Sequence, residues 1–220
     1  MSILMSGVMP GATSGTNAIA KRIVLASTSP FRAQILKAAG MQFETAGAGV
    51  DEKAITRGDP AATAVARAEA KATDVSGKYG DAVVIGADQT LSLGGRTFTK
   101  AVDINEARRR LIELSGQTHV LHSGIALVFH GKVIASTVVN VPMTMRKLGG
   151  GEIDRYLATG EWRGVVGCYQ AENHGIQLFE SIGGDTTAVV GLPMPQLLTA
   201  LRGVGVNPLV SPAGPWALTV

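Results

Sequence analysis

The sequence predicts an α/β domain built on a mixed β-sheet flanked by helices. Short apolar runs alternate with helix-like patterns in the first half, and two long strand-like stretches follow in the second half. Strands that alternate with helices pair in parallel, whereas long strands joined by a short turn pair antiparallel, so both kinds of pairing are expected. Neither an internal repeat nor a linker interrupts residues 21–207, so we expect one domain there.

Two helices of the first half begin at residues that favour a helix N-terminus. Ser29-Pro30 and Asp59-Pro60 each combine an N-cap residue with proline at the first helical position. Gly40 is a suitable end for the first of these helices. The predicted helices run from 30 to this glycine and from 60 to about 76, and the predicted strands cover 23–26, 41–46 and 82–87.

The remaining elements follow from turn residues and apolar spacing. Asp103 and Glu106 have the spacing of a capping box, which predicts a helix from there to about residue 114. The other predicted strands cover 117–129, 132–145 and 176–182, and the other predicted helices cover 152–159 and 195–202, with a hairpin turn at 94–95. We expect residues 1–20 to form a flexible extension and residues 208–220 to form a C-terminal tail.

Composition excludes several classes of protein. With 45% hydrophobic and 17% charged residues among 220, the chain is too apolar for a disordered protein and long enough to bury a core. The single cysteine, Cys168, excludes a scaffold of internal disulfides and is expected to be a buried structural thiol. No apolar stretch reaches the roughly 18 residues that a membrane-spanning helix needs. We therefore expect a cytoplasmic protein that does not bind a membrane.

The charge pattern and the absence of common site motifs exclude further functions. The net charge is +3, and the only basic run covers residues 108–110, which we interpret as a solvated helix face rather than a nucleic-acid site. The P-loop, HExxH and CxxC motifs are absent, and no GxGxxG motif follows a predicted strand. His119 and His122 lie three apart on a predicted strand, so they should point to opposite faces and hold no metal.

The turn after the first strand carries groups that suit an anion. Ser27, Ser29 and Arg32 lie where the predicted strand passes into a helix. A helix N-terminus presents free N–H groups and partial positive charge, and two hydroxyls with a guanidinium can hold phosphate oxygens. On these residues alone, a simple helix cap with a surface arginine is the better explanation.

Charged residues further along the chain extend this pattern. Glu52 follows a glycine-containing loop, and Asp88 closes an apolar strand, where an unpaired buried carboxylate would be costly. Mg²⁺ is held by one or two such carboxylates together with phosphate oxygens and water. Arg67 and Lys71 share a helix face, and Lys100 follows the hairpin. Turn caps and solvated side chains are the alternatives for each residue alone, but the whole set suits a nucleoside triphosphate with a divalent metal.

The order of these segments resembles that of the Maf (septum-formation) family of nucleoside triphosphate pyrophosphatases, whose fold is related to that of the inosine triphosphate pyrophosphatases. The matching segments are LASTSPFR (25–32), DE (51–52), RAEAKA (67–72), IGADQ (85–89), Lys100, SGQTHVLHSG (115–124), YLATGEW (156–162), GCY (167–169), GGD (183–185) and GLP (191–193). Their order and spacing make the resemblance specific, although each segment alone is weak. The resemblance implies one elongated domain of this fold between about residues 23 and 203.

The sequence departs from the family pattern at four positions. Phe31 replaces the first of the family's paired arginines, and Ala101 replaces the proline after the lysine. Glu172 stands near where many members carry glutamine. Gln89 stands where the pyrimidine-preferring branch usually has threonine, and a glutamine there resembles the 7-methyl-GTP branch. These departures affect the expected base preference more than the expected reaction.

The resemblance implies an activity and roles for the candidate residues. The expected reaction is hydrolysis of a nucleoside triphosphate, canonical or modified, to a monophosphate and diphosphate. Asp88 corresponds to the family's proton acceptor, and Glu52 and Asp88 would hold Mg²⁺ or Mn²⁺. The implied substrate-binding residues are Ser27, Ser29, Arg32, Lys71 and Lys100. The alternative is a nucleotide-binding regulator of cell division without catalytic activity, and either role is compatible with a homodimer.

Overall fold

The computed structural model describes residues 22–209, which fold around a mixed sheet with helices on both faces. The strands are β1 (Ile23–Ala26), β2 (Glu44–Thr45), β3 (Val83–Leu93), β4 (Arg96–Phe98), β5 (Thr118–Phe129), β6 (Lys132–Met145) and β7 (Phe179–Ile182). The helices are α1 (Pro30–Ala38), α2 (Pro60–Ser76), α3 (Ile104–Leu114), α4 (Gly150–Leu157), α5 (Thr186–Val190) and α6 (Met194–Gly203). The predicted fold class is confirmed. The predicted extension over 1–20 and residues 210–220 of the predicted tail lie outside the described residues.

The sheet combines parallel and antiparallel pairs, as the two halves of the sequence predicted. Its strand order is β2-β1-β3-β5-β6-β7, and β4 also pairs with β3. β1 is parallel to both β2 and β3, while the remaining pairs are antiparallel. The two long strands β5 and β6 form the predicted hairpin, with Phe129 opposite Lys132 at its turn.

Apolar side chains fill both faces of the sheet. On one face, α2 contributes to a buried cluster that contains Val24 and Val84. On the other face, α1 and α6 contribute to a cluster that contains Leu25 and Ile85. Neighbouring residues of β1 and β3 therefore point to opposite faces, and the sheet lies between two helical layers.

Two glycines allow α2 to lie unusually close to the sheet. A Cβ added at Gly86 of β3 would lie 2.0 Å from the carbonyl oxygen of Ala68, and one added at Gly124 of β5 would lie 2.6 Å from the carbonyl carbon of Ala64. Both neighbouring atoms belong to the α2 backbone, so no side chain can give way. This close approach brings the inward side chains of α2 onto β3.

The largest difference from the predicted elements concerns β3. The apolar run over 82–87 predicted a strand that ends before Asp88, but β3 continues to Leu93. Asp88 lies opposite Gly124 in the middle of the β3–β5 ladder, so its predicted position at a strand end is wrong. The physical reason is that backbone pairing with β5 continues where the apolar pattern stops.

Three other boundaries differ. β2 covers two exposed residues at the sheet edge instead of 41–46, and β7 starts at Phe179 because a 3₁₀ turn occupies 174–178. The helix predicted over 152–159 spans 150–157, because the Glu152 carboxylate accepts a hydrogen bond from the Gly149 N–H and so caps an earlier start. α5, which has only five residues, was not predicted.

The interpretation of residues 108–110 as a solvated face is wrong for Arg110. This side chain is buried, and its Nη1 donates to the carbonyl oxygens of Thr99 (2.8 Å) and Val166 (2.7 Å). Its guanidinium also stacks on Phe98, with 4.5 Å between Cζ and the ring centroid. Arg110 therefore ties the segment after β4 to α3.

The predictions that Cys168 is a buried thiol and that His119 and His122 point to opposite faces of the sheet are confirmed. Cys168 is fully buried, and burial raises the pKa of its thiol. His119 hydrogen-bonds to the Tyr169 hydroxyl, whereas His122 bonds to Ser92 on the other face of the sheet. No helix between residues 22 and 209 is long and apolar enough to cross a membrane.

Candidate active site

A gap in the sheet exposes part of one edge of β3. β5 pairs with β3 along one edge from residue 84 to 92, so β1 and β4 both pair with the opposite edge. β1 pairs with residues 83–86 there, and β4 pairs with residues 91–93. Among the described residues, 87–90 therefore lack a strand partner on that edge. Asp88 and Gln89 lie at this gap and point to opposite faces of the sheet.

On the α2 face, one lysine joins two carboxylates. Nζ of Lys71 lies 2.6 Å from Oδ1 of Asp88 and 2.6 Å from Oε1 of Glu52. Lys71 and Asp88 are buried, so the alternative of a solvated lysine is wrong. The close packing of α2 accounts for this burial, because it points Lys71 directly at β3.

Two further cations lie near these carboxylates. Nη1 of Arg67 lies 3.9 Å from Oδ2 of Asp88, while Nε of Arg67 donates to the carbonyl oxygen of Ile55 at 3.0 Å. Burial alone would raise the pKa of Glu52, but the hydrogen bond from Lys71 and the charges of Lys71, Lys100 and Arg67 lower it. Glu52 is therefore held ionised, and the exposed Lys100 lies within electrostatic reach of it.

The turn between β1 and α1 supplies the third part of the site. Oγ of the buried Ser27 accepts hydrogen bonds from the backbone N–H of Ser29 (3.2 Å) and from Nη1 of Arg32 (3.3 Å). Nε of Arg32 donates to the carbonyl oxygen of Gly191 at 3.0 Å. Ser29 is the N-cap residue of α1, but its hydroxyl makes no capping hydrogen bond and is available to a ligand.

Electrostatic interactions join this turn to the carboxylates. Burial lowers the pKa of the Arg32 guanidinium, and the negative charges of Asp88 and Glu52 oppose that shift. Arginine side chains stay charged in proteins at neutral pH. Within the described residues Nη2 of Arg32 has no hydrogen-bond partner, so it can bind an anion.

One carboxylate oxygen of the site is free to bind a divalent cation. Oδ2 of Asp88 is buried and accepts no hydrogen bond from the described residues. A buried carboxylate oxygen without a partner is costly unless a cation or a donor completes it. The described residues contain no group of three or more His, Cys, Asp or Glu side chains placed to hold a metal. Two carboxylates are nevertheless enough for Mg²⁺ when phosphate oxygens and water complete its shell.

On the opposite face, Gln89 contacts residues that the sequence did not single out. Nε2 of Gln89 lies 2.8 Å from Oγ of Ser123 and 3.0 Å from the carbonyl oxygens of Ala188 and Val189. The two carbonyls belong to the short helix α5. The available signal for Ser123 was a hydroxyl in the middle of a predicted strand, next to His122.

The structure thus brings all seven predicted site residues to the gap along β3 or to its borders.

The chain also matches known proteins over most of its length. Residues 22–204 match the family model described as Maf-like protein. The chain is 46% identical over 191 residues to 7-methyl-GTP pyrophosphatase of Rhizobium meliloti strain 1021, which covers 83% of this chain and 96% of that protein.

Two further relatives carry the same name. The chain is 49% identical over 189 residues to 7-methyl-GTP pyrophosphatase of Brucella suis biovar 1, covering 82% of this chain and 95% of the relative. It is 47% identical over 193 residues to that of Mesorhizobium japonicum, covering 84% and 97%. The family model and these relatives each span most of the described residues, and on that ground this chain belongs to the Maf-like protein family.

Proposed function

We propose that this chain converts 7-methyl-GTP to 7-methyl-GMP and diphosphate. It is a nucleoside triphosphate pyrophosphatase of the Maf-like family, and its relatives named above are 7-methyl-GTP pyrophosphatases. The observation that carries the proposed site is the buried Lys71 ammonium between Glu52 and Asp88. This cluster lies beside the turn that carries Arg32, so carboxylates and phosphate-binding groups border one opening.

The turn after β1 and the segment after β4 would hold the triphosphate. Nη2 of Arg32 and the hydroxyl of Ser29 are available to phosphate oxygens. Ser27 accepts two hydrogen bonds through its oxygen and keeps its own proton to donate to a phosphate. The exposed Lys100 supplies a positive charge from the other side of the gap. Charge neutralisation and alignment are the main requirements of phosphoryl transfer.

Asp88 is the proposed proton acceptor. Lys71 holds Oδ1 of Asp88, whereas Oδ2 has no hydrogen-bond partner among the described residues and can take a proton from water. As the water oxygen bonds to the α-phosphorus, its proton passes to Oδ2, and the bond between this phosphorus and the diphosphate oxygen breaks. A bound Mg²⁺ or Mn²⁺, which Glu52 and Asp88 would hold, would supply further neutralisation of the phosphate charge.

The base preference rests on the names of the relatives and on one departure from the family pattern. Gln89 offers a donor and an acceptor where the pyrimidine branch has a shorter hydroxyl. Phe31, in the first turn of α1, replaces an arginine of the family pattern and would remove one phosphate contact. The names of the relatives and Gln89 support a methylated purine as substrate.

The carboxylate arrangement favours catalysis over the non-catalytic alternative. A regulator that only binds a nucleotide needs no proton acceptor in its site, whereas a base for water requires a carboxylate oxygen free of hydrogen bonds, and among the described residues Oδ2 of Asp88 is such an oxygen. We therefore do not propose a purely regulatory role.

A diphosphate-release assay tests this function. We expect release from 7-methyl-GTP in the presence of Mg²⁺, with lower kcat/KM for GTP, ATP, UTP and dTTP, and loss of activity after chelation. Absence of diphosphate release from every nucleotide, with and without metal, would overturn the proposed reaction. Higher kcat/KM for UTP or ATP than for 7-methyl-GTP would overturn only the substrate assignment.

A further inference from the structure

The hydrogen bonds around Gln89 determine which way its side-chain amide points. Its Nε2 faces three oxygens, namely Oγ of Ser123 at 2.8 Å and the carbonyl oxygens of Ala188 and Val189 at 3.0 Å each. Backbone carbonyls can only accept hydrogen bonds. The amide nitrogen must therefore occupy this position, and Oε1 must lie on the other side of the amide.

Ser123 makes this orientation unambiguous. Its side chain is fully buried, and its hydroxyl donates its single proton to the carbonyl oxygen of Ala188 at 2.6 Å. The oxygen of Ser123 is thereby left with lone pairs only, which match the N–H₂ group of Gln89. Without this hydroxyl, one of the three acceptors that define the amide orientation is lost.

The Gln89 amide lies close to the triphosphate-binding turn. A Cβ added at Gly191 would lie 3.5 Å from Nε of Arg32 and 3.8 Å from Nε2 of Gln89, so both side chains border this glycine. Within residues 22–209 no donor contacts Oε1 of Gln89. This oxygen is an unused acceptor beside the site, at the gap along the edge of β3.

From this geometry we infer that Ser123 is a positioning residue for substrate selection, which directs Oε1 of Gln89 as a fixed acceptor toward N–H donors of the base. This inference rests on the proposed function and adds which hydrogen-bond donors of the base the site recognises. Guanine and 7-methylguanine present the adjacent donors N1–H and N2–H₂, whereas adenine has an acceptor at N1 and no 2-amino group. A fixed acceptor therefore favours a guanine edge over an adenine edge.

Substitution of Ser123 should alter selectivity rather than only the rate. We expect Ser123→Ala to lower the ratio of kcat/KM for 7-methyl-GTP to kcat/KM for ATP by about tenfold, because the amide then loses one of the three acceptors that hold it and Oε1 is no longer fixed toward the base. Ser123→Thr keeps the hydroxyl and should restore the ratio. Ser76→Ala is the matched control, since Ser76 is also a buried serine, and its Oγ accepts a hydrogen bond from Gly131 N–H away from the site.

Two outcomes would overturn the inference. An unchanged ratio in Ser123→Ala would show that the hydroxyl does not orient the amide. An equal loss of kcat/KM for both nucleotides, with no recovery in Ser123→Thr, would assign Ser123 a purely structural role. Wild-type protein that releases diphosphate while Ser123→Ala keeps its selectivity would contradict this inference alone, whereas wild-type protein that hydrolyses no nucleotide would contradict the proposed function as well.

A measurement on the wild-type protein covers the case in which Ser123→Ala does not fold. 7-Methyl-ITP differs from 7-methyl-GTP only in lacking the 2-amino donor. We expect kcat/KM to fall by about tenfold for this analogue, because an acceptor built to bind a donor is left unpaired. Equal kcat/KM for the two nucleotides would overturn the assignment of Oε1 as the base-reading acceptor.

Discussion

The ammonium of Lys71 and the carboxylate of Asp88 form a buried ion pair, with Nζ 2.6 Å from Oδ1 and less than a tenth of either side chain exposed. The same ammonium holds Glu52, so removing it leaves two carboxylates facing each other. Removal of the closest partner of a buried charge is strongly destabilising. The position of Lys71 therefore links the stability of the fold to the proposed chemistry.

The two lysines of the site should respond differently to substitution. Lys71→Met should lower the free energy of unfolding by about 3 kcal/mol and also reduce kcat/KM, because the buried carboxylate of Asp88 loses its closest counter-ion. Lys100→Met should reduce kcat/KM while leaving the unfolding midpoint unchanged, since Lys100 is exposed. Urea unfolding measures the stability of both variants and diphosphate release measures their activity, with Lys78→Met at an exposed lysine as the control. Equal stability of the Lys71→Met and Lys78→Met proteins would contradict the role of Lys71.

Asp88→Asn should abolish most activity with little effect on folding. The amide keeps the shape of the carboxylate but has neither the negative charge nor the basicity that proton transfer needs, and the expected loss in kcat is roughly 10²- to 10⁴-fold. The control is Asp51→Asn, because Asp51 is exposed and accepts a hydrogen bond from the Lys53 N–H within a turn. Activity of Asp88→Asn within a few-fold of wild type would remove Asp88 from the mechanism.

Gly86 should not tolerate a side chain. In Gly86→Ala the new methyl group would overlap the α2 backbone at Ala68, which should lower the free energy of unfolding by about 3 kcal/mol and displace Lys71. Gly151→Ala provides a matched control in α4, since a Cβ there meets no atom within 4 Å. That change should be neutral or slightly stabilising. Similar unfolding midpoints for the two variants would show that α2 can move away from the sheet.

Stability should fall between about pH 6.5 and pH 4 because of His119. Burial lowers the pKa of His119 to about 4, so the unfolded chain binds a proton in this interval and the folded chain does not. The free energy of unfolding then decreases as pH falls, by on the order of 3 kcal/mol for this group. Below pH 4 both states are protonated and the contribution stays constant.

Comparison with His119→Gln isolates this contribution. The glutamine can still hydrogen-bond to the Tyr169 hydroxyl but does not titrate, so its urea-unfolding free energy should fall less steeply between pH 6.5 and 4 than that of wild type. Other carboxylates titrate equally in both proteins and cancel in the difference. Parallel pH curves for the two proteins would contradict the assignment.

Local signals predicted the helices well, because helix starts depend on residues close together in sequence. α2 begins at Pro60 with the Asp59 carboxylate accepting from Ala62 N–H, as the Asp-Pro pair indicated. α3 begins as predicted, although the Glu106 carboxylate accepts from Val102 N–H rather than from the N-cap residue. α5 was missed because five residues contain too little periodicity to identify a helix.

The sequence by itself determined most of the strands and helices in their chain order, α5 excepted, and the set of polar residues that forms the proposed site. The tertiary structure decided that β3 continues past Asp88, that Lys71 is buried against it, and that the Gln89 amide donates to Ser123. Each of these relationships joins residues that are far apart in the chain. They depend on the β3–β5 register and on the close approach of α2 at Gly86, and the periodicity of a single segment carries no information about contacts with another segment.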